Sequence, residues 1–270
     1  RRQKFTNPNN VNHLMYLPPN IQKSSALTEQ RILLQGRPGC GKTTFAASFP
    51  NPVFIDLDHK LPGDVPNFPF WDDNWCKSLT KVPGAHKRDI IIAWLRSELP
   101  KFTPKQTVIF DSWTKFQDFL NVALQAETAG DKETFKFYRL KNQYSQLICD
   151  LLSQAKCRVI VTAHETEALD ESKQGAKIYP LQEGKFGNQL AGYFTDYYRI
   201  VNAPTKRDAN GAPVKNGAMN QKETGRWLVM QPDEECDLFT NPELGKHNPP
   251  HQIQLPRDGG YEAYNALYTK

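Results

Sequence analysis

The chain has 270 residues, of which 39% are apolar, enough for one large domain with a real core rather than a disordered segment. A formal charge of +5 is a mild excess, which permits a polyanionic partner without requiring one. No apolar run approaches the ~20 residues that cross a bilayer, the opening stretch RRQKFTNPNNVNHLMYLPPN has no secretory apolar block, and the five scattered cysteines (Cys40, Cys76, Cys149, Cys157, Cys236) show neither disulfide nor zinc spacing. These features exclude membrane-spanning and disulfide-framework classes and predict a soluble, cytoplasmic protein.

Residues 1–30 are polar and rich in Asn and Pro, and read as an arm. A core opens with a short apolar run, Arg31 to Gln35, ending in glycine, and Lys42 to Ser48 reads as a short helix stopped by Pro50 and Pro52. Pro52–Asp58 (PVFIDLD) is a second strand, followed by an irregular Pro-, Trp- and Asp-rich insertion over 59–86. His86 to Leu99 carries apolar residues at helical spacing. Thr107–Asp111 (TVIFD) is a third strand, a helical region broken near Gly130 follows, and Cys157–His164 (CRVIVTAH) is a fourth strand. Strands alternating with helices predict an α/β fold with a mostly parallel central sheet and helices on both faces. Beyond His164 the chain turns polar over 165–187, then gives a strand at Asp196–Val201 and another at Arg226–Gln231, joined by a mobile basic loop over 203–225 as a C-terminal β-hairpin. The core thus spans 31–231, with 232–270 a polar extension.

Gly36-Arg37-Pro38-Gly39-Cys40-Gly41-Lys42-Thr43 fills every fixed position of GxxxxGK(S/T), between a strand and a helix, with Thr44 next in line. Glycines let the backbone curl until several N–H groups face one anion, with a helix N-terminus behind them. Lys42 is then placed for the β- and γ-phosphates of ATP, and the Thr43 hydroxyl for Mg2+. A magnesium carboxylate is needed at a nearby strand end, and Asp111 supplies it. Hydrolysis needs a group that orients water; Asp56 and Asp58 are candidates, with Asp58 nearer the edge where ligands bind. His164, ending the fourth strand on that edge, is a candidate sensor of the γ-phosphate. Lys42, Asp58, Asp111 and His164 form the expected catalytic set of an ATPase.

Together these segments resemble RecA-like recombinases, and most closely the short phage-encoded RecA-like ATPases of single-strand annealing and recombination. The resemblance rests on the GxPGxGKTT loop, on Phe54-Ile55-Asp56-Leu57-Asp58-His59-Lys60-Leu61, on Asp111-Ser112 and on VIVTAHE, and covers about 31–202 with Arg226–Gln231. It implies a RecA-like P-loop core, places the catalytic carboxylate on Asp58, where aspartate stands for the family's glutamate, and places the sensor on His164. It also implies a homo-oligomer, ring or filament, with ATP between subunits and a basic finger reaching in from the neighbour, for which Lys222 and Arg226 are candidates.

The same resemblance puts single-stranded DNA against the loops after the metal-site and sensor strands. Lys173, Lys177 and Lys185 suit phosphates and Phe186 suits a base; Lys206 and Arg207 add charge in the basic loop, and Arg1, Arg2 and Lys4 in the arm. The leading expectation is an ATPase acting on single-stranded DNA in recombination, annealing or replication. A helicase-type motor or loader, a small-molecule kinase and a nucleotide-gated scaffold are the rivals; the arginine-free 165–187 segment speaks against a kinase lid.

Overall fold

Continuous apolar runs are what strands buried on both faces look like, and five of the six strands expected from sequence lie in the parallel part of the sheet. In the computed structural model, which describes residues 30–268 apart from 62, 132–133, 171–174, 183–185, 209–210, 233–235 and 241–248, they are β1 (Arg31–Gly36), β2 (Pro52–Asp56), β4 (Thr107–Asp111), β5 (Arg158–Asp170) and β7 (Asp196–Asn202). The sheet runs β11 (Gln252–Leu255), β10 (Arg226–Val229), β7, β1, β5, β4, β2 and an edge strand β3 (Asn67–Pro69). From β7 to β3 every neighbour is parallel, while β10 and β11 pair antiparallel at the far edge. Parallel pairing brings Gly36, Asp56, Asp111 and Asn202 to one edge of the sheet, and Gly36 lies opposite His164.

Side-chain alternation splits the core in two. Leu33, Ile55, Phe110 and Val161 face α3 (Lys87–Glu98), α4 (Trp113–Glu127) and α5 (Thr134–Ser153). Ile32, Leu34, Phe54, Ile109 and Ile160 face α1 (Lys42–Ala47) and the last helix, α7 (Tyr261–Asn265). The expected mostly parallel sheet, with helices on both faces and a C-terminal hairpin, is therefore the architecture. None of the helices among the described residues is long and apolar enough to cross a membrane.

Four stretches are more ordered than their composition suggested. The insertion over 59–86 contributes an edge strand, β3 (Asn67–Pro69), and a short helix, α2 (Asp73–Ser78), capped by the Asp72 carboxylate. The fourth strand does not stop at His164 but runs to Asp170 and folds back through β6 (Gly175–Pro180); the helix α6 (Gly187–Leu190) follows. The basic loop carries a small hairpin, β8 (Lys215–Asn216) and β9 (Met219–Asn220). The segment read as a polar tail supplies β11 and α7, whose Leu255 and Tyr264 are buried against Phe45 and Leu228.

Candidate functional site

The site gathers around the N-terminus of α1. Gly36 ends β1 where a side chain has no room: a Cβ there would lie 2.5 Å from Cys40 Sγ and 2.6 Å from the Ile200 carbonyl. Gly41, at φ 93, caps α1 in the left-handed region that glycine adopts without steric cost. Arg37, Pro38 and Gly39 form the exposed tip of the loop, with Cys40 turned inward. Lys42 is buried, and its ammonium donates to the carbonyls of Gly36 (2.8 Å) and Arg37 (3.0 Å). Burial lowers its pKa from the ordinary lysine value, with Cys40 and Asp111 opposing.

Alternation explains what meets the loop. Asp111 shares a face of β4 with Ile109, and Thr162 and His164 share a face of β5 with Ile160; that face is the one covered by α1. The Thr43 hydroxyl donates to Asp111 Oδ2 at 2.8 Å, and the Thr162 hydroxyl donates to Oδ1. Burial raises the Asp111 pKa, against the pull of both hydroxyls. His164 Nδ1 lies 3.3 Å from the Lys42 ammonium, and its backbone N–H donates to the Thr114 hydroxyl. Burial, then the Lys42 charge, lowers the histidine pKa, which suits a neutral ring accepting from Lys42.

The two early aspartates separate. Asp56 is buried, with its pKa raised by burial, and its Oδ1 accepts the N–H groups of Asp58 (3.1 Å) and His59 (2.9 Å). It is a turn brace. Asp58 is half-buried above it, facing the Ser112 hydroxyl at 3.5 Å and paired with Lys60. The structure thus brings Lys42, Thr43, Asp58, Asp111 and His164 together. Ser112, named in sequence only as part of the Asp111-Ser112 motif, joins them, as do Thr162 and Thr114, unforeseen by sequence reasoning; Thr162 was findable, two residues before His164 on the same strand face.

No group of three or more His, Cys, Asp or Glu among the described residues holds a metal alone. Magnesium is ordinarily held by one or two carboxylates, waters and substrate phosphates, and one hydroxyl beside one carboxylate under a phosphate loop fits that donor set.

Several expected contacts do not survive. Phe186 is 3% exposed and stacks between Trp113 and Tyr193, so no base can reach its face. Lys177 is buried to 5% exposure and paired with Asp237. Arg226 is not a finger toward a neighbour: its guanidinium donates to Gly41 (3.4 Å), Pro256 and Gly259 (2.8 Å) carbonyls of its own chain. Lys222 is exposed and donates to the Thr205 hydroxyl, while Lys206 is exposed and Arg207 half-buried. Lys173 and Lys185, like Arg1, Arg2 and Lys4, lie outside the described residues.

Comparison with curated proteins gives no match. Among solved structures the chain is similar to a RadB recombinase, at 14% identity and a TM-score of 0.36, over 76% of this chain and 81% of that one. The AAA domain family matches residues 28–232. That match takes in every strand from β1 to β10 and most of the chain's length, and by it the protein belongs to the AAA domain family of nucleotide-binding P-loop proteins.

Proposed function

We propose that the protein is a magnesium-dependent, RecA-like ATPase that works as a homo-oligomer on single-stranded DNA, in recombination, annealing or replication. The observation that carries the hydrolytic part is the Thr43–Asp111 pair, 2.8 Å apart, with Lys42 and Asp58 facing the same space. In this reading the loop from Gly36 to Thr44 cradles the triphosphate through its backbone N–H groups. Lys42 exchanges its loop carbonyls for phosphate oxygens and neutralises charge that builds on the transferred group. Thr43 and Asp111 hold magnesium, which when bound withdraws charge from the phosphates. Asp58 orients the attacking water and takes its proton while the bond from the γ-phosphorus to the bridging oxygen breaks, leaving ADP and phosphate. His164, beside Lys42 and at the foot of the β5–β6 hairpin, passes loss of the γ-phosphate to that hairpin.

The DNA part is supported by the resemblance to phage-type recombination ATPases and by the basic loop between β7 and β10. The test is the ATPase rate with and without single-stranded DNA, for the parent and for Lys42→Ala. DNA-stimulated turnover that disappears in the variant supports the proposal. Turnover that needs a small acceptor would make it a kinase, and nucleotide binding with no turnover would make it a nucleotide-gated scaffold.

A further inference from the structure

A cavity of about 410 Å³ opens on the β7 side of the phosphate loop. It touches that loop through Arg37, Pro38 and Cys40, and none of Lys42, Thr43, Asp58, Asp111 or His164 lines it. Its volume falls in the ~300–1,000 Å³ span of ligand sites. Its charged lining is Arg37, Arg199, Arg207 and Lys222 against the single carboxylate of Glu165. Glu165 is held by Arg199 in a two-pronged pair, Nε–Oε2 at 2.9 Å and Nη2–Oε1 at 3.1 Å, both side chains 7% exposed. That pair cancels internally, which leaves the lining with more cations than carboxylates; Arg207 donates to the Gly211 carbonyl and Lys222 to the Thr205 hydroxyl. The Arg37 side chain is 79% exposed and only leans on Glu165, at 3.5 Å.

The rim is built by strand alternation, not by chance crowding of lysines. After β7 the chain bridges Thr205 to Lys222 and Arg207 to Pro213. Thr205, Arg207 and Lys222 therefore share one face of this small flap, and all three line the cavity. Lys206 alternates to the other face and is absent from the lining. Asn202, with an amide that can read a base edge, and the apolar Val201 and Val229 line the same cavity. Cations beside an amide and apolar side chains suit a nucleotide unit better than the carboxylates of an acidic peptide, which need only the cations.

We infer that this cavity is the seat of a phosphodiester of the single strand, an inference that rests on the DNA reading above. The placement would let strand and triphosphate meet on one loop, because the Arg37 guanidinium faces the cavity while its carbonyl holds Lys42.

The experiment measures anisotropy of a fluorescein-labelled oligothymidylate with the full chain, for the parent, Arg207→Ala/Lys222→Ala and Lys206→Ala. The double variant is expected to lose about 10-fold in affinity and to flatten the log K against log[salt] slope by ~1.4, from two lost phosphate contacts. Lys206→Ala is expected to stay near the parent, and a fluorescent ADP analogue to bind all three proteins alike. An equal loss in Lys206→Ala would overturn the site and leave only diffuse charge. A double variant that binds like the parent would move the strand elsewhere, with the DNA reading intact. A parent that does not bind the oligonucleotide would remove both. Poly-glutamate bound in preference, and lost in the double variant, would assign the cavity to an acidic protein instead.

Discussion

In the proposed hydrolysis Asp58 orients the attacking water, and its backbone is braced on two sides. Asp56 accepts its N–H, His59 takes a left-handed turn at φ 53, and the His59 ring stacks on Trp71 at 3.6 Å, so the segment carrying the carboxylate is braced from below and beside. A group that orients water and takes its proton contributes typically ~10²–10⁴-fold. Asp58→Asn should therefore lower kcat by about 100-fold or more while nucleotide affinity changes little, and Asp58→Glu, one methylene longer, should keep turnover. Single-turnover rates beside nucleotide titrations check this; a variant with parental kcat would move the role to another group. His164 gives a pH prediction. Its folded pKa lies below its unfolded value, through burial and the Lys42 charge, with Lys60 adding and Asp58 and Asp111 opposing. Between those two values the unfolded chain binds the extra proton, so stability is intact above pH ~6.5 and falls as pH drops toward the folded pKa. His164→Gln should flatten that part of the Tm–pH curve; curves of equal slope for both proteins would show the ring is not what titrates.

At the scale of elements, the approach of β7 to the phosphate loop is tight enough to be tested with one methyl group. Gly36→Ala puts a Cβ against Cys40 Sγ and the Ile200 carbonyl, and a backbone carbonyl cannot swing aside. Overpacking of this kind costs roughly 1–3 kcal/mol, and here it should also displace the loop, so both the Tm and binding of a fluorescent nucleotide should fall. Parental values of both would mean the sheet edge yields. Phe186→Ala tests the corrected role of that ring. A buried aromatic stacked between Trp113 and Tyr193 should cost ~3–5 kcal/mol in urea denaturation when truncated, a loss that an exposed base-stacking ring would not give. The sequence is legible where burial is two-sided: TVIFD and PVFID read as strands, and their terminal carboxylates read as edge residues. It is illegible where pairing occurs without a covered face. Glu165–Asp170 looks like a polar loop because β6 satisfies its backbone, and no local pattern says that Lys177 and Phe186 turn inward. The Thr162 hydroxyl on Asp111 was within reach of period-two reasoning, whereas the Glu165–Arg199 pair joins β5 to β7, which do not neighbour each other in the sheet.

Over the whole molecule, the family match ends at 232, yet the sheet and the nucleotide side of α1 do not. β11 pairs with β10, and Tyr264 and Leu267 cover Phe45 and Phe49, the residues by which α1 sits on the sheet. Arg226 then ties the carbonyl of Gly41, inside the phosphate loop, to those of Pro256 and Gly259. β11 and α7 thus wall α1 on its outer side, and Arg226 links the phosphate loop to the turn between them. Burying three large side chains, Leu255, Tyr264 and Leu267, contributes roughly 4.5–9 kcal/mol at ~1.5–3 kcal/mol each. That is comparable to the ~5–15 kcal/mol total stability of an ordinary domain. A chain truncated after Pro232 should therefore be unfolded or strongly destabilised by urea denaturation. Arg226→Ala separates the local from the global effect, since it leaves the apolar wall in place. It should keep most of the stability and weaken binding of a fluorescent ADP analogue, with partial rescue by Arg226→Lys, which retains a charge but reaches fewer carbonyls. A truncated chain with parental stability and nucleotide affinity would show that the core ends where the family match ends.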